Sequence, residues 1–309
     1  MPKYTKKLIF PPLILFYAFV IHDIITLLMK TNNTDLEKQK NKTFILRIVL
    51  TKEEIDKEYQ STLKSVQSNF ETKGFRKGKA PLDLVEQQIS KSKIIEDVAS
   101  HLISHAYDQK VKEHGLKPII QPQIKITNPP ISLDKNWEIE IIGCELPEIT
   151  IDPKYQAEII EVNAKIQPPK IEGDHEHDHK HDNLDEILDI LTKHCQVDLP
   201  QILVDSDVEN KMSQLIDQVA QAGITVAQYL KTKNQTLDQY KAVLVEQITK
   251  EWIINLAIDK ISKDEKIEVT KEEVDSLLKQ NPQMVQNPNF VYYLITQQKV
   301  FEYLHHLKK

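Results

Sequence analysis

Gly74-Phe75-Arg76-Lys77-Gly78-Lys79-Ala80-Pro81 places an aromatic and three cations between two glycines and a proline, and Lys73 adds a fourth cation just before it. The chemistry open to such a segment is binding. Guanidinium and ammonium groups meet phosphates, and Phe75 can stack on a base or enter an apolar socket. Gly74 and Gly78 permit backbone angles that other residues resist, and Pro81 fixes the way out. A solvated lysine-rich turn between two helices is the other reading of the same residues. The cluster stands against a chain of 309 residues with formal net charge −6, so any contact with RNA is expected to be local rather than a general coating.

The flanking sequence supplies the elements that would hold this loop. Residues 43–50 are rich in β-branched side chains and read as a strand. Thr51-Lys52-Glu53-Glu54 is a capping box. After it, Ile55, Tyr59, Leu63, Val66 and Phe70 fall on one face of a helix that ends at the loop. Helical patterning resumes near Leu82 and carries Val85, Ile89, Ile94, Ile95 and Val98. A further helix runs to about His114, with Gly115 as its stop. Residues 119–126 and 137–144 read as strands separated by Asn128-Pro129-Pro130. The stretch 157–162 reads as a strand or extended connector. From Leu184 onward the pattern is helical. Leu184, Ile187, Leu188 and Leu191 share a face. Asp198-Leu199-Pro200 is a cap with an early-turn proline. Val208, Met212, Leu215, Ile216 and Val219 line the next helix, which stops at Gly223. Thr225 opens a short helix, a long one covers about 237–261, and Thr270 caps another. The last helix begins at Pro288.

The spacing G-F-R-x-G-K-x-P resembles the ribosome-docking signature of trigger factor, the bacterial chaperone that meets nascent chains at the exit tunnel. Leu82-Asp83-Leu84-Val85-Glu86-Gln87 is similar to the segment after that signature in the family. So are Val197-Asp198-Leu199-Pro200, Val204-Asp205-Ser206-Asp207 and the run from Gly223 to Leu230 to parts of the family's C-terminal body. The likeness covers most of residues 35 to 275, and the final helix is only weakly similar. It implies an α+β N-terminal ribosome-binding domain followed by an all-α C-terminal chaperone domain. It also implies that Phe75, Arg76 and Lys77 contact the large ribosomal subunit, with Gly74, Gly78, Lys79 and Pro81 shaping the loop. The other implied partner is unfolded nascent polypeptide. The expected division is 1–28 apolar, 29–150 ribosome-binding, 151–183 connector and 184–309 helical.

The family's FKBP-type prolyl isomerase domain has no room here. The span from Val162 to Leu184 cannot enclose a packed sheet and an aromatic-lined pocket. Prolyl isomerisation is therefore not carried over, and no catalytic residue and no cofactor are expected. Asp174-His175-Glu176-His177-Asp178-His179-Lys180-His181-Asp182 reads as a flexible polar linker whose histidines would bind Zn²⁺ or Ni²⁺ weakly. A metal-storage role built on that tract is one alternative. Cys144 and Cys195 lack metal spacing; reduced cytosolic thiols are the simpler reading, and a single disulfide is the other. Residues 8–28 are almost wholly apolar after Lys3, Lys6 and Lys7. Three readings stay open there: a start upstream of a true one at Met29, a membrane anchor, or an export signal. The leading expectation is a cytoplasmic, ribosome-associated chaperone. A membrane-anchored or exported chaperone of the same fold is the alternative, and a prolyl isomerase the next.

Overall fold

Strand β2 (Thr43–Leu50) alternates as its sequence requires, with Phe44, Leu46, Ile48 and Leu50 buried and Arg47 and Val49 in solvent. The computed structural model describes residues 35–165, 184–281 and 287–308. In it, β1 (Leu36–Lys38), β2, β3 (Gln123–Ile126) and β4 (Trp137–Cys144) form a sheet in the order β1-β2-β4-β3. The β1–β2 and β3–β4 pairs are antiparallel. On the solvent face Arg47 donates to Glu37 on β1 (2.7 Å) and to Glu140 on β4 (3.3 Å), tying three strands together. Gly143 is required where it stands, because a Cβ there would lie 2.5 Å from the Phe44 ring.

Helices α1 (Lys52–Asn69), α2 (Leu82–Gln88) and α3 (Lys91–Glu113) cover the other face. The Thr51 capping box forms, with the Glu54 side chain reaching back to the Thr51 N–H at 2.8 Å. Ile55, Tyr59 and Leu63 are buried, while Val66 and Phe70 pack at the rim of the core. The expected continuous helix from Leu82 is broken: α2 ends at Gln88, Ile89 turns extended, and Ile94 and Val98 belong to α3. Gly115 stops α3 with φ +61. The strand expected from 119 begins only at Gln123, and Ile119 is exposed.

Trp137 is fully buried, and its indole N–H donates to the Ser132 carbonyl at 2.7 Å. Trp137→Ala is expected to cost about 3–5 kcal/mol through the cavity and the orphaned carbonyl. Hydrogen exchange of the β2 amides reads it directly. Unchanged protection would show that the sheet does not rest on this ring.

The chain changes unit between Gly143 and Cys144. The second unit is a helical body with a small antiparallel ribbon, β5 (Ile149–Ile151) against β6 (Cys195–Val197). The stretch 157–162 is helical, not extended: it lies inside α4 (Lys154–Lys165). Tyr155, Ile159 and Val162 recur at helical spacing, and their buried face overrides the strand preference of Ile159, Ile160 and Val162. They pack with Ile187, Ile190 and Leu191 of α5 (Leu184–His194) and with Ile258, Ile261, Val300 and Leu304. Residues 151–165 are thus part of the body rather than a connector.

α6 (Gln201–Gln221), α7 (Val226–Thr232) and α8 (Leu237–Asp264) come next. Pro200, not Asp198, occupies the N-cap of α6, and no side chain caps it. Capping boxes at Thr225, Thr236 and Thr270 open α7, α8 and α9 (Lys271–Gln280). α6 and α8 pack through Val204, Leu244 and Ile248, and the Trp252 N–H donates to Asp207 at 2.7 Å. In the last helix, α10 (Pro288–His305), the terminal carbonyls of Leu304 and His305 accept from Asn163 Nδ2 (2.9 and 3.1 Å).

Candidate functional site

The basic segment is the connection from α1 to α2, and its two ends are fastened together. At the end of α1 the Gln67 side-chain amide donates to the Ala80 carbonyl (2.7 Å), and Ala80 is buried. The Gly78 N–H donates to the Phe70 carbonyl (3.0 Å). Below the loop the Tyr59 hydroxyl donates to Glu86 (2.6 Å), bracing α1 to α2. Burial, and then the Glu86 carboxylate, push that phenol up to about 12, so the link stays protonated through the neutral range. The neck itself consists of backbone and neutral polar bonds, which are insensitive to salt.

Beyond the neck the tip is open. Phe75 is 45% exposed, and Arg76, Lys77, Lys73 and Lys79 all face solvent. Gly74 takes φ +90 and Gly78 φ +74, where side chains are strained. Gly78 is also sterically confined, since a Cβ there would meet the Ser68 carbonyl oxygen at 2.8 Å. Two turn bonds shape the tip, from the Phe75 N–H to Thr72 (3.3 Å) and from the Lys79 N–H to Arg76 (2.9 Å). Pro81 is exposed and sits at the N-cap of α2. Lys77 reaches Glu71 at 3.5 Å with both side chains more than half exposed, an ion pair worth little. All seven residues singled out from the sequence thus fall on one loop. The neck residues Gln67, Ser68 and Ala80 escape a sequence reading, because nothing in a lone glutamine or serine announces a bond across the loop.

Other candidate chemistry is weaker. Asp35, Glu113 and His114 bring ligand atoms within 4.8 Å of one another. Lys110 already bonds both Asp35 and Glu113, and chiefly that ammonium holds the Asp35 carboxyl below its usual range. This is an ion-pair network rather than a vacant cage. Burial pushes the Cys144 and Cys195 thiols up to about 11, which leaves them poor nucleophiles. His194 lies against Glu158 (3.0 Å) at the end of α5, and Cys195 is already in β6. The histidine tract at 174–182 and the apolar run at 8–28, with Met29, lie outside the described residues. Among the described residues no helix is long and apolar enough to cross a membrane.

In the helical body, Ile216 and Ile224 near the end of α6 and Leu237 and Val243 at the start of α8 are 39–50% exposed. Ile216 belongs to the helix as expected, but it is half exposed rather than packed. It lies one position off the Met212–Leu215–Val219 stripe and points outward.

The family model for bacterial trigger factor protein matches residues 30–177, and that for the bacterial trigger factor C-terminus matches residues 161–307. The chain belongs to the trigger factor family. The two matches overlap, so no chain remains between them for an inserted domain. Among curated relatives, the trigger factor of Syntrophomonas wolfei is 29% identical over 45% of this chain and 36% of its own length. That of Staphylococcus saprophyticus is 26% identical over 46% of this chain and 32% of its own. The match thus spans about a third of those relatives. A solved structure from a study of promiscuous substrate recognition by the trigger factor chaperone aligns with TM-score 0.54 at 11% identity. The alignment covers 88% of this chain and 99% of that one, a likeness of fold.

Proposed function

We propose that this protein is a ribosome-associated chaperone that docks beside the nascent-chain exit tunnel through residues 74–81 and holds emerging polypeptides unfolded, without catalysing prolyl isomerisation. The observation that carries the reading is the loop itself: an exposed aromatic and exposed cations, Arg76 among them, on a neck that fixes their direction. Preformed geometry lowers the ordering cost of docking. The apolar side chains at the far end of α6 and the start of α8 suit many weak contacts with extended clients. A surface that fitted one sequence tightly would not release varied chains. The cytoplasm is the compartment where such a loop meets ribosomes.

The absence of catalysis is inferred from the overlap of the two family regions and from thiols held protonated. The test pairs two assays on one preparation. Near-stoichiometric protein is expected to suppress aggregation of an unfolded client, while prolyl-peptide isomerisation stays at the uncatalysed rate. Clean protein that accelerates isomerisation would overturn the non-catalytic reading. Failure to suppress aggregation would overturn the holdase reading.

A further inference from the structure

The loop is not the end of the cationic surface. Lys57, Ser61, Lys64 and Ser68 recur on α1 at helical spacing, with Ser65 beside them, and all five are exposed. From Tyr59 to Pro81 the only acid is Glu71, against Lys64, Lys73, Arg76, Lys77 and Lys79. The acids of α1 lie in its first two turns, from Glu53 to Glu58, and Glu58 is engaged by His101 at 3.3 Å. The second half of the helix therefore presents the Lys64 ammonium and the Ser61 and Ser65 hydroxyls with no carboxylate among them, while the Ser68 hydroxyl donates to the Ser65 carbonyl at 2.7 Å. Lys64 has no ion-pair partner among the described residues, whereas Lys110, Lys193, Lys211 and Lys250 are each neutralised by an acid.

The strip and the loop meet at the end of α1. Ser68, the last residue of the strip, is the residue whose carbonyl abuts Gly78, and Gln67 beside it holds Ala80. Lys64 stands one helical turn behind Ser68, about 6 Å along the axis. A polyanion engaged at Arg76 and Lys77 would pass over this turn if it continued along α1.

We infer that the exposed face of α1 from Ser61 to Ser68 is a second phosphate-contacting strip, with Lys64 as its charged anchor and the Ser61 and Ser65 hydroxyls as neutral donors to RNA backbone. This rests on the docking reading and extends it. The loop supplies an aromatic and directional anchor, and the strip supplies further backbone contacts that carry no sequence information. An acid-free face of this kind suits RNA better than a protein surface, where a mixture of charges would be matched by a mixture.

The test measures binding of the full chain to vacant ribosomes across a salt series. Lys64→Ala is expected to bind about three- to tenfold more weakly at low salt, with the log K against log salt slope shallower by about 0.7–0.9. Lys64→Glu and Ser65→Asp are expected to fall further. Lys231→Ala, in the helical body, should match wild type in both affinity and slope. Thermal melting confirms that these exposed changes leave the fold intact. Wild-type affinity and slope for Lys64→Ala and Lys64→Glu would overturn the strip while the docking loop stands. Weaker binding with an unchanged slope would also overturn it, by placing Lys64 against protein rather than phosphate. If the unaltered chain itself does not bind ribosomes, the docking reading fails and the strip falls with it.

Discussion

Phe75→Ala/Arg76→Ala/Lys77→Ala is expected to weaken ribosome binding by about a hundredfold or more, with no loss of folding. A buried aromatic anchor at an interface is commonly worth about 2 kcal/mol or more, which alone is roughly thirtyfold. Each lost phosphate contact removes about 0.7–0.9 from the salt slope. The unaltered chain should therefore show a slope of roughly −2 to −3, and the variant one shallower by about 1.5. The fold should not notice, because all three side chains point into solvent and the ion pair from Lys77 to Glu71 is itself exposed. Co-sedimentation across a salt series, with melting curves alongside, reads both halves. Equal sedimentation of variant and wild type would remove the loop from the docking site.

The basic loop at residues 74–81 was legible as a loop because its chemistry is local. Two glycines, an aromatic and a run of cations keep their meaning whatever surrounds them, and the loop carries them as expected. The caps at Thr51 and Thr270 were legible for the same reason, since each bonds within four residues, whereas the boxes at Thr225 and Thr236, closed by Gln228 and Gln239, were not read as such. The hidden contacts are long in sequence. Gln67 to Ala80 spans 13 residues, and Asn163 reaches the last turn of α10 across 141. The α4 segment misleads because its β-branched residues favour a strand locally, while the core formed by Ile187, Leu191 and Leu304 rewards a helix. The three-residue strands β1, β5 and β6 are too short to show a period at all.

The sharper test of the mechanism leaves every contacting side chain in place. Gly78→Val should reduce ribosome binding at least about tenfold although Phe75, Arg76 and Lys77 are untouched. Two physical effects act together at this position. A β-branched residue at φ +74 is strained by roughly 1–3 kcal/mol. Its Cβ would also press on the Ser68 carbonyl oxygen at 2.8 Å, a backbone atom in the last turn of α1 that cannot swing aside. Relief requires the Gly78 N–H to leave the Phe70 carbonyl, which opens the neck and lets the tip wander. The free energy once stored in a preformed loop must then be supplied at binding, and affinity falls with it. Gly74→Ala is the matched control, because it too has a positive φ, +90, but no atom lies within 4 Å of the added methyl group. It should carry strain without opening the neck, and so a smaller loss. Hydrogen exchange of the amides at position 78 and Lys79, each corrected for its intrinsic rate, separates the cases: faster exchange in Gly78→Val with weaker binding supports a preformed loop. Wild-type affinity with a demonstrably opened neck would mean that the ribosome orders this segment itself, and that charge and the aromatic suffice.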